Sequence, residues 1–328
     1  MKGNSDMYSL KGLIAAPFTA MKADRSINLD IIEKQVNFYV ANGVAGVFVC
    51  GTTGEGASLT TAERVQIADK WCKTAPKELK VVVHVGDNSI DACRLMAANA
   101  QKSNASAIGA IAPNFFKPNS VDVLVDYCNQ IASAAPELPF YYYHMPSMTG
   151  VNFPMIDFLE KAPGKIKNLA GIKFTYEDLM DFHLCQKFED GRYDMLFGRD
   201  EILLCGLALG AKGAIGSTYN FASPLYNQLI DEFNAGNLER ARVLQHKSMQ
   251  MIKIIASIGC PFLAASKAIM KELGLDLGPV RLPLTDINEQ FTSLISKLEQ
   301  LGFFDFCSKQ KASSKIKTAV LNQKESRV

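Results

Sequence analysis

The sequence lacks the features that mark several large classes of protein. Its 35 lysines and arginines nearly balance its 33 aspartates and glutamates, and a net charge of +2 does not favour a nucleic-acid binder. No apolar run approaches the roughly 18 residues of a membrane-spanning helix, and the N-terminal stretch has no apolar segment typical of signal peptides. We therefore expect a cytoplasmic protein that binds neither nucleic acid nor membranes.

Four short motifs are also missing. The eight cysteines include no CxxC pair, so we expect reduced core thiols rather than a disulfide framework. No GxGxxG follows an early apolar run, which removes the main sign of a dinucleotide site. The four histidines show neither HxH nor HExxH spacing, so the sequence does not favour a catalytic metal.

What the sequence does contain is a repeated pattern. Short apolar runs alternate eight times with amphipathic stretches near helical spacing. The runs are residues 12–19, 44–51, 81–86, 105–113, 140–145, 169–174, 194–200 and 213–217. Near-continuous apolar strands are typical of a parallel sheet that is covered on both faces. The pattern predicts an α/β fold, an eight-fold (β/α)8 TIM barrel, with a doubly wound sheet as the alternative.

The barrel pattern does not extend over the whole chain. Residues 9–221 are assigned to the barrel strands and most of their helices. Residues 222–305 are assigned to the last barrel helix and a C-terminal helical extension packed on the barrel. Residues 308–328 are polar, basic and without periodicity, and we expect a disordered tail there.

Working residues of such barrels stand at the C-terminal ends of the strands. Lys173 is the most informative of them, because apolar residues surround it in the run "LAGIKF". Burial lowers the pKa of a lysine and makes its amine available for Schiff-base formation. The alternative is a lysine that extends from the strand end to pair with a carboxylate.

Tyr143 ends the fifth run, where its hydroxyl is placed to relay a proton. The alternative is an aromatic residue of the core. Strand alternation places Tyr141 and Tyr143 on one face of the strand and Tyr142 on the other.

Two further strand ends carry polar groups. The hydroxyls of Thr52 and Thr53, with the amides of "GTTGE", suit a carboxylate, although the motif also fits an ordinary turn. Asp200 and Glu201 suit the hydroxyls of a polyhydroxylated tail, although acidic residues are also common at a helix N-terminus.

Taken in order and at these intervals, the strand-end motifs resemble the N-acetylneuraminate lyase and dihydrodipicolinate synthase superfamily. The motifs are "GTTGE", "YHMPSMTG", "GIKFT", "GRDE" and "GSTYN". The resemblance covers about residues 9–305. It implies an eight-fold barrel with a C-terminal helical extension, usually a homotetramer, that holds pyruvate as a Schiff base on Lys173 without a cofactor. It also implies that Thr52 and Thr53 hold the pyruvate carboxylate and that Tyr143 transfers the proton.

Two departures from the synthase pattern favour the neuraminate lyase branch. The synthase has an arginine where this chain has Met148, and a tyrosine in the loop after strand four where this chain has Phe115. "GIKFTYEDL" and "GRDE" resemble the lyase branch. The resemblance implies that Asp200 and Glu201 bind the glycerol-like end of sialic acid. The other substrate contacts that it implies are Thr175, Gly198 and Ser217.

The expected reaction is the reversible aldol cleavage of N-acetylneuraminate, a sialic acid, to N-acetylmannosamine and pyruvate. Another pyruvate-dependent aldolase or synthase on the same barrel is the first alternative. A sugar-acid sensor without catalytic activity is the second, and a metal-dependent aldolase is the third.

Overall fold

The computed structural model describes residues 9–310. Eight strands lie within them: β1 Gly12–Ala15, β2 Gly46–Val49, β3 Lys80–His84, β4 Ala107–Ile111, β5 Phe140–His144, β6 Leu169–Phe174, β7 Asp194–Phe197 and β8 Gly213–Gly216. The α-helices in the same residues are α1 Ile32–Ala41, α2 Thr61–Thr74, α3 Ile90–Lys102, α4 Val121–Ala132, α5 Pro146–Thr149, α6 Met155–Lys161, α7 Leu179–Lys187, α8 Leu203–Ala208, α9 Tyr219–Asn234, α10 Leu238–Ala256, α11 Phe262–Glu272, α12 Gln290–Gln300 and α13 Phe303–Phe306.

The strands form one closed barrel in the order of the sequence. Each strand pairs in parallel with the next, and β1 closes the barrel by pairing in parallel with β8. The predicted TIM barrel is confirmed. The doubly wound alternative is wrong, because an open sheet has two unpaired edges whereas β1 and β8 are bonded to each other.

Apolar side chains fill two separate layers. One cluster lies inside the barrel and includes Phe48, Tyr141, Tyr143 and Leu196. A much larger cluster lies between the strands and the surrounding helices and includes Tyr142. The predicted alternation along β5 is therefore confirmed, and it turns Tyr143 towards the barrel interior.

The ends of two helices show how local residues fix the shape of the connecting loops. Thr60 caps α2 by accepting from the backbone N–H of Glu63, and the Glu63 side chain bonds back to the backbone N–H of Thr60. This capping box follows directly after the "GTTGE" loop and the short 3-10 turn Gly56–Ser58. At Gly43, a positive φ of +71° ends α1, a conformation that glycine adopts without strain.

The C-terminal helices pack on the barrel as a group. Helix α10 packs against α9, and α11 and α12 both pack against α10. Helix α9 itself crosses the predicted boundary at residue 221. The described chain remains packed as far as Ser308, which is buried and donates its backbone N–H to the carbonyl oxygen of Phe221 at 2.8 Å. Residues 311–328 of the predicted tail lie outside the described residues.

The cysteines are free thiols in the described structure, as the spacing predicts. Most are buried or half-buried, but Cys205 is exposed, so the expectation of a core thiol is wrong at that position. Among residues 9–310, no helix is long and apolar enough to cross a membrane.

Candidate active site

A cavity of about 510 Å³ opens at the C-terminal ends of the barrel strands. It brings together every site residue that the sequence analysis selected. These are Thr52, Thr53, Tyr143, Lys173, Thr175, Gly198, Asp200, Glu201 and Ser217. They lie at the ends of five different strands, so the closure of the barrel is what brings them into one site.

Lys173 lies at the floor of this cavity. It is 4% exposed, so it does not extend into solvent as the alternative interpretation required. Its Nζ lies 4.2 Å from the centre of the Phe48 ring and 3.7 Å from the centre of the Tyr143 ring. Burial lowers the pKa of Lys173 to about 7, and the negative charge of Asp200 opposes that shift. At pH 7, about half of the molecules therefore carry a neutral amine at this position.

Tyr143 lies beside the lysine on the neighbouring strand. Its hydroxyl donates to the Sδ of Met145 at 2.9 Å and lies 3.4 Å from the Oγ1 of Thr52. Burial raises the pKa of Tyr143 to about 12, and the hydrogen bond with Thr52 opposes that shift. The hydroxyl therefore holds its proton at neutral pH, and it is placed to pass that proton on.

The two threonines of "GTTGE" have different partners. Thr52 faces Tyr143, whereas the Oγ1 of Thr53 lies 2.8 Å from the Oγ of Ser217. Thr19, which is buried, donates to the carbonyl oxygen of Gly54 at 2.6 Å and fixes the loop from below. Hydroxyls from three strand ends thus converge on one side of the cavity, an arrangement that suits a carboxylate oxygen.

Thr175 and Gly198 lie next to each other across β6 and β7. Within residues 9–310, the buried hydroxyl of Thr175 has no hydrogen-bond partner, which leaves it ready to bind a ligand. A Cβ on Gly198 would overlap the Thr175 hydroxyl and lie 2.9 Å from the carbonyl oxygen of Phe174. Only glycine leaves room for the threonine at this point.

Asp200 and Glu201 differ in their surroundings. One oxygen of Asp200 accepts from the backbone N–H of Thr218 at 2.9 Å and from its hydroxyl at 2.7 Å. The other oxygen, Oδ1, has no partner in the described residues, and burial raises the pKa of Asp200 to about 6. Glu201 is more exposed and pairs with the Nη2 of Arg199 at 2.9 Å, while Arg199 also pairs with Glu177.

Several residues that line the cavity were missed by the sequence analysis. The strand ends contribute Met145, Arg199 and Thr218 in addition to the predicted residues. The C-terminal helical extension and its loops contribute an apolar wall of Ile252, Phe262, Leu263 and Leu284. Arg199 could have been predicted, because it lies within the strand-end motif "GRDE". The apolar wall could not, because its residues belong to helices and loops far from the strand ends in the sequence.

The histidines do not form a metal site in the described structure. Among residues 9–310, no group of three His, Cys, Asp or Glu side chains is arranged to hold a metal ion. His84 is buried at the end of β3, with its Nδ1 3.1 Å from the carbonyl oxygen of Cys50. His144 packs between the rings of Phe174 and Tyr176 on the outer face of the barrel.

Comparison with known families agrees with this geometry. Residues 9–300 match the model of the dihydrodipicolinate synthetase family. The chain belongs to this family. The match covers all eight strands, the apolar wall and the residues that line the cavity.

Individual relatives match this chain over most of its length and of theirs. N-acetylneuraminate lyase A of Xenopus laevis is 44% identical over 84% of this chain and 90% of its own length. N-acetylneuraminate lyase of Mus musculus is 40% identical over 90% of this chain and 93% of its own length. The solved structure of Proteus mirabilis N-acetylneuraminate lyase superposes with a TM-score of 0.87 at 39% identity, over 90% of this chain and 99% of that chain.

Proposed function

We propose that this protein is a class I aldolase that reversibly cleaves N-acetylneuraminate to N-acetylmannosamine and pyruvate. The observation that carries the proposal is the buried amine of Lys173, held against the Tyr143 ring at the floor of a polar cavity. The relatives at about 40% identity bear the name of this lyase, which supports the choice of substrate.

The first step joins substrate and enzyme. The neutral amine of Lys173 attacks the C2 ketone of the open-chain sugar acid, and the resulting carbinolamine loses water to give an iminium. A pKa of about 7 supplies the amine at neutral pH, whereas an ordinary lysine would be almost entirely protonated. Thr52 and Thr53 hold the carboxylate next to C2, since their hydroxyls converge with that of Ser217 on one side of the cavity.

The second step breaks the bond between C3 and C4. Tyr143 takes the proton of the C4 hydroxyl while it gives its own proton to the substrate carboxylate, so that no tyrosinate is left in the cavity. This order follows from the pKa of about 12, which keeps Tyr143 protonated before the reaction. The electron pair of the broken bond moves into the iminium and gives an enamine, and N-acetylmannosamine leaves. Protonation at C3 and hydrolysis then release pyruvate and restore the amine.

The other polar residues bind the rest of the sugar. The free Oδ1 of Asp200 and the carboxylate of Glu201 accept hydrogen bonds from the hydroxyls of the glycerol-like tail. Thr175 offers a hydroxyl that has no protein partner in the described residues, and Gly198 leaves the space for it. Ser217, bonded to Thr53, lies where the tail and the carboxylate sites meet.

We also propose a homotetramer in the cytoplasm. Phe115, Phe116 and Met148 are exposed apolar side chains near the mouth of the barrel, and contact between copies of the chain would cover them. The free thiols suit a reducing compartment. Light scattering of the purified protein tests the assembly, and a molecular mass of four chains is expected.

Another pyruvate-dependent aldolase or synthase of the family is the second candidate. The family match favours it equally, because every such member would need the lysine, the tyrosine and the carboxylate site. Met148 lines the cavity where the synthase pattern has an arginine for a second carboxylate. We expect Met148→Arg to weaken cleavage of N-acetylneuraminate and to improve the use of aldehydes that carry a carboxylate.

Borohydride reduction tests the covalent step. Incubation of the full-length protein with pyruvate and borohydride should add one reduced pyruvate unit to the peptide that contains Lys173, as read by mass spectrometry. A panel of aldehydes in the synthesis direction then identifies the preferred partner. Absence of any adduct would contradict both aldolase candidates and favour a sensor or a metal-dependent enzyme.

A further inference from the structure

A buried ion pair joins the C-terminal helical extension to the "GTTGE" loop. The Nζ of Lys267, on α11, lies 2.7 Å from the Oε1 of Glu55. The two side chains are 3% and 1% exposed. They are 212 positions apart in the chain, and neither has a role in the reaction described above.

Further hydrogen bonds hold both members of the pair. Lys267 also donates to the carbonyl oxygen of Pro279 at 2.7 Å, and the second oxygen of Glu55 accepts the backbone N–H of Arg281 at 2.8 Å. A buried ion pair adds little net stability, because the loss of hydration offsets the attraction between the charges. The main effect of the pair is therefore to fix the position of Glu55 relative to helix α11, because the attraction between two buried charges is strong and depends on their distance.

That geometry bears directly on the carboxylate site. Glu55 has a left-handed backbone with φ of +56°, unusual for a residue with a side chain, and its N–H closes a turn by donating to the carbonyl oxygen of Thr52 at 3.0 Å. Cys50, at the start of the same loop, has φ of +58°. The loop that carries Thr52 and Thr53 is thus bent at both ends and needs outside support to keep its shape.

Helix α11 supplies this support and also forms part of the cavity wall. Phe262 and Leu263, at its N-terminal end, line the cavity, and Lys267 lies about one turn further along. A single rigid helix therefore contacts the substrate cavity with one segment and the "GTTGE" loop with another.

We propose that Lys267 is a positioning residue for the carboxylate site, and that it acts through Glu55 to hold Thr52 and Thr53 in register with Tyr143 and Ser217. The C-terminal extension is then a working part of the substrate site rather than a cover for the barrel. This inference rests on the proposed function, in which the two threonines bind the carboxylate of pyruvate.

A neutral pair of substitutions tests the inference. In the double variant Lys267→Met with Glu55→Gln, no charge is left unpaired in the interior, and the glutamine still accepts the N–H of Arg281. We expect the pyruvate concentration for half-maximal borohydride trapping on Lys173 to rise about tenfold, as for the loss of one well-placed hydrogen bond. The KM for N-acetylmannosamine in the synthesis direction should change by less than about twofold, because the proposed function assigns the sugar hydroxyls to Asp200 and Glu201 and not to the loop.

Glu55→Asp gives a second route to the same question. Aspartate keeps the negative charge and accepts a left-handed backbone readily, but its arm is shorter by one methylene. We expect this variant to fold like the wild type and to show the same selective rise for pyruvate. Arg25→Met is the matched control, because Arg25 bonds the carbonyl oxygen of Val280 at 2.7 Å and the carboxylate of Asp286 at 2.8 Å in the same segment without contacting Glu55.

The outcomes separate this inference from the proposed function. The inference would be overturned if the Lys267 and Glu55 variants fold and need the same pyruvate concentration for half-maximal trapping as the wild type. The proposed aldolase function would then still stand. The inference would also be overturned if the half-maximal pyruvate concentration and the KM for N-acetylmannosamine rise equally, in these variants and in Arg25→Met alike. Such a result would show a general loss of structure around the cavity. Wild-type protein that traps no pyruvate would contradict the proposed function, and the inference with it.

Discussion

The Nζ of Lys173 lies 3.7 Å from the centre of the Tyr143 ring. The two residues are direct partners in the register of β5 and β6, and both face the barrel interior. The distance between the nucleophile and the proton carrier is therefore set by strand pairing rather than by a loop. Burial disfavours the ammonium and the negative charge of Asp200 opposes that effect, and the resulting pKa of about 7 leaves the amine of Lys173 about half-protonated near neutral pH.

Lys173→Met removes the nucleophile and keeps most of its volume. We expect turnover of N-acetylneuraminate to fall by more than about 10³-fold, because within residues 9–310 no other lysine lines the cavity to form the iminium. Pyruvate release measured with a coupled dehydrogenase checks this, and circular dichroism checks the fold. Lys253→Met is the matched control, since Lys253 is an exposed lysine of α10 and its loss should leave the rate unchanged.

Tyr143→Phe separates proton transfer from imine formation. The phenyl ring still packs against Lys173, but the hydroxyl that contacts Thr52 is gone. We expect kcat for cleavage to fall about 10²- to 10³-fold, whereas pyruvate is still trapped by borohydride. Tyr142→Phe changes the adjacent tyrosine outside the barrel and should have little effect on kcat. Equal losses in the two variants would argue against a chemical role for Tyr143.

Asp200→Asn should shift the pH dependence of imine formation. The negative charge of Asp200 raises the pKa of Lys173, so its removal should lower that pKa further and move the half-point of trapping from about pH 7 to lower pH. The half-point is the pH at which borohydride trapping of pyruvate reaches half of its maximal rate, and it is measured from the trapping rate at a series of pH values. Glu201→Gln is the comparison, because the charge of Glu201 does not contribute to the shift at Lys173, and its half-point should stay in place.

Stability should also depend on pH through Lys173. The pKa is about 7 in the folded state and about 10.5 in an unfolded chain, so between these values the unfolded state binds more protons. The free energy of unfolding should therefore rise with pH in this window, by about 1 kcal/mol per pH unit from this residue. Urea unfolding at several pH values gives the slope of the free energy of unfolding against pH. For Lys173→Met this slope should be smaller by that amount. Identical slopes would contradict the lowered pKa.

Glu201→Gln and Arg199→Met test the tail site. Arg199 pairs with Glu201 at 2.9 Å, so either change should disturb the carboxylate that faces the sugar tail. We expect the KM for N-acetylneuraminate to rise about three- to tenfold, while half-saturation by pyruvate alone stays unchanged. Steady-state cleavage and pyruvate trapping, measured side by side, check this. If the KM for N-acetylneuraminate and the half-saturating pyruvate concentration rise together, Arg199 and Glu201 support the structure of the cavity and do not bind the sugar tail specifically.

The barrel and the centre of the site could be predicted because local patterns encode them. Eight apolar runs imply eight buried parallel strands, and a lysine inside such a run is either a nucleophile or a side chain that extends to pair with a carboxylate. Strand alternation alone turned Tyr143 inwards and Tyr142 outwards. Spacing could not show that Thr52 faces Tyr143 whereas Thr53 faces Ser217, because that depends on how the loop bends at two left-handed residues.

Contacts between distant parts of the chain could not be predicted in the same way. The wall of Ile252 and Phe262 comes from helices whose apolar faces look like those of any packed helix. The pair of Lys267 and Glu55 joins positions 212 residues apart, and no periodicity links them. Such contacts depend on how the C-terminal extension packs on the barrel. No local sequence pattern specifies that packing.

Pyruvate release from N-acetylneuraminate tests the central claim most directly. The assay uses purified wild-type protein and Lys173→Met, each with an excess of chelator. The account predicts steady release by the wild type, unaffected by the chelator, and none by the variant. Release by Lys173→Met at a rate near that of the wild type, or release that the chelator abolishes, would contradict it.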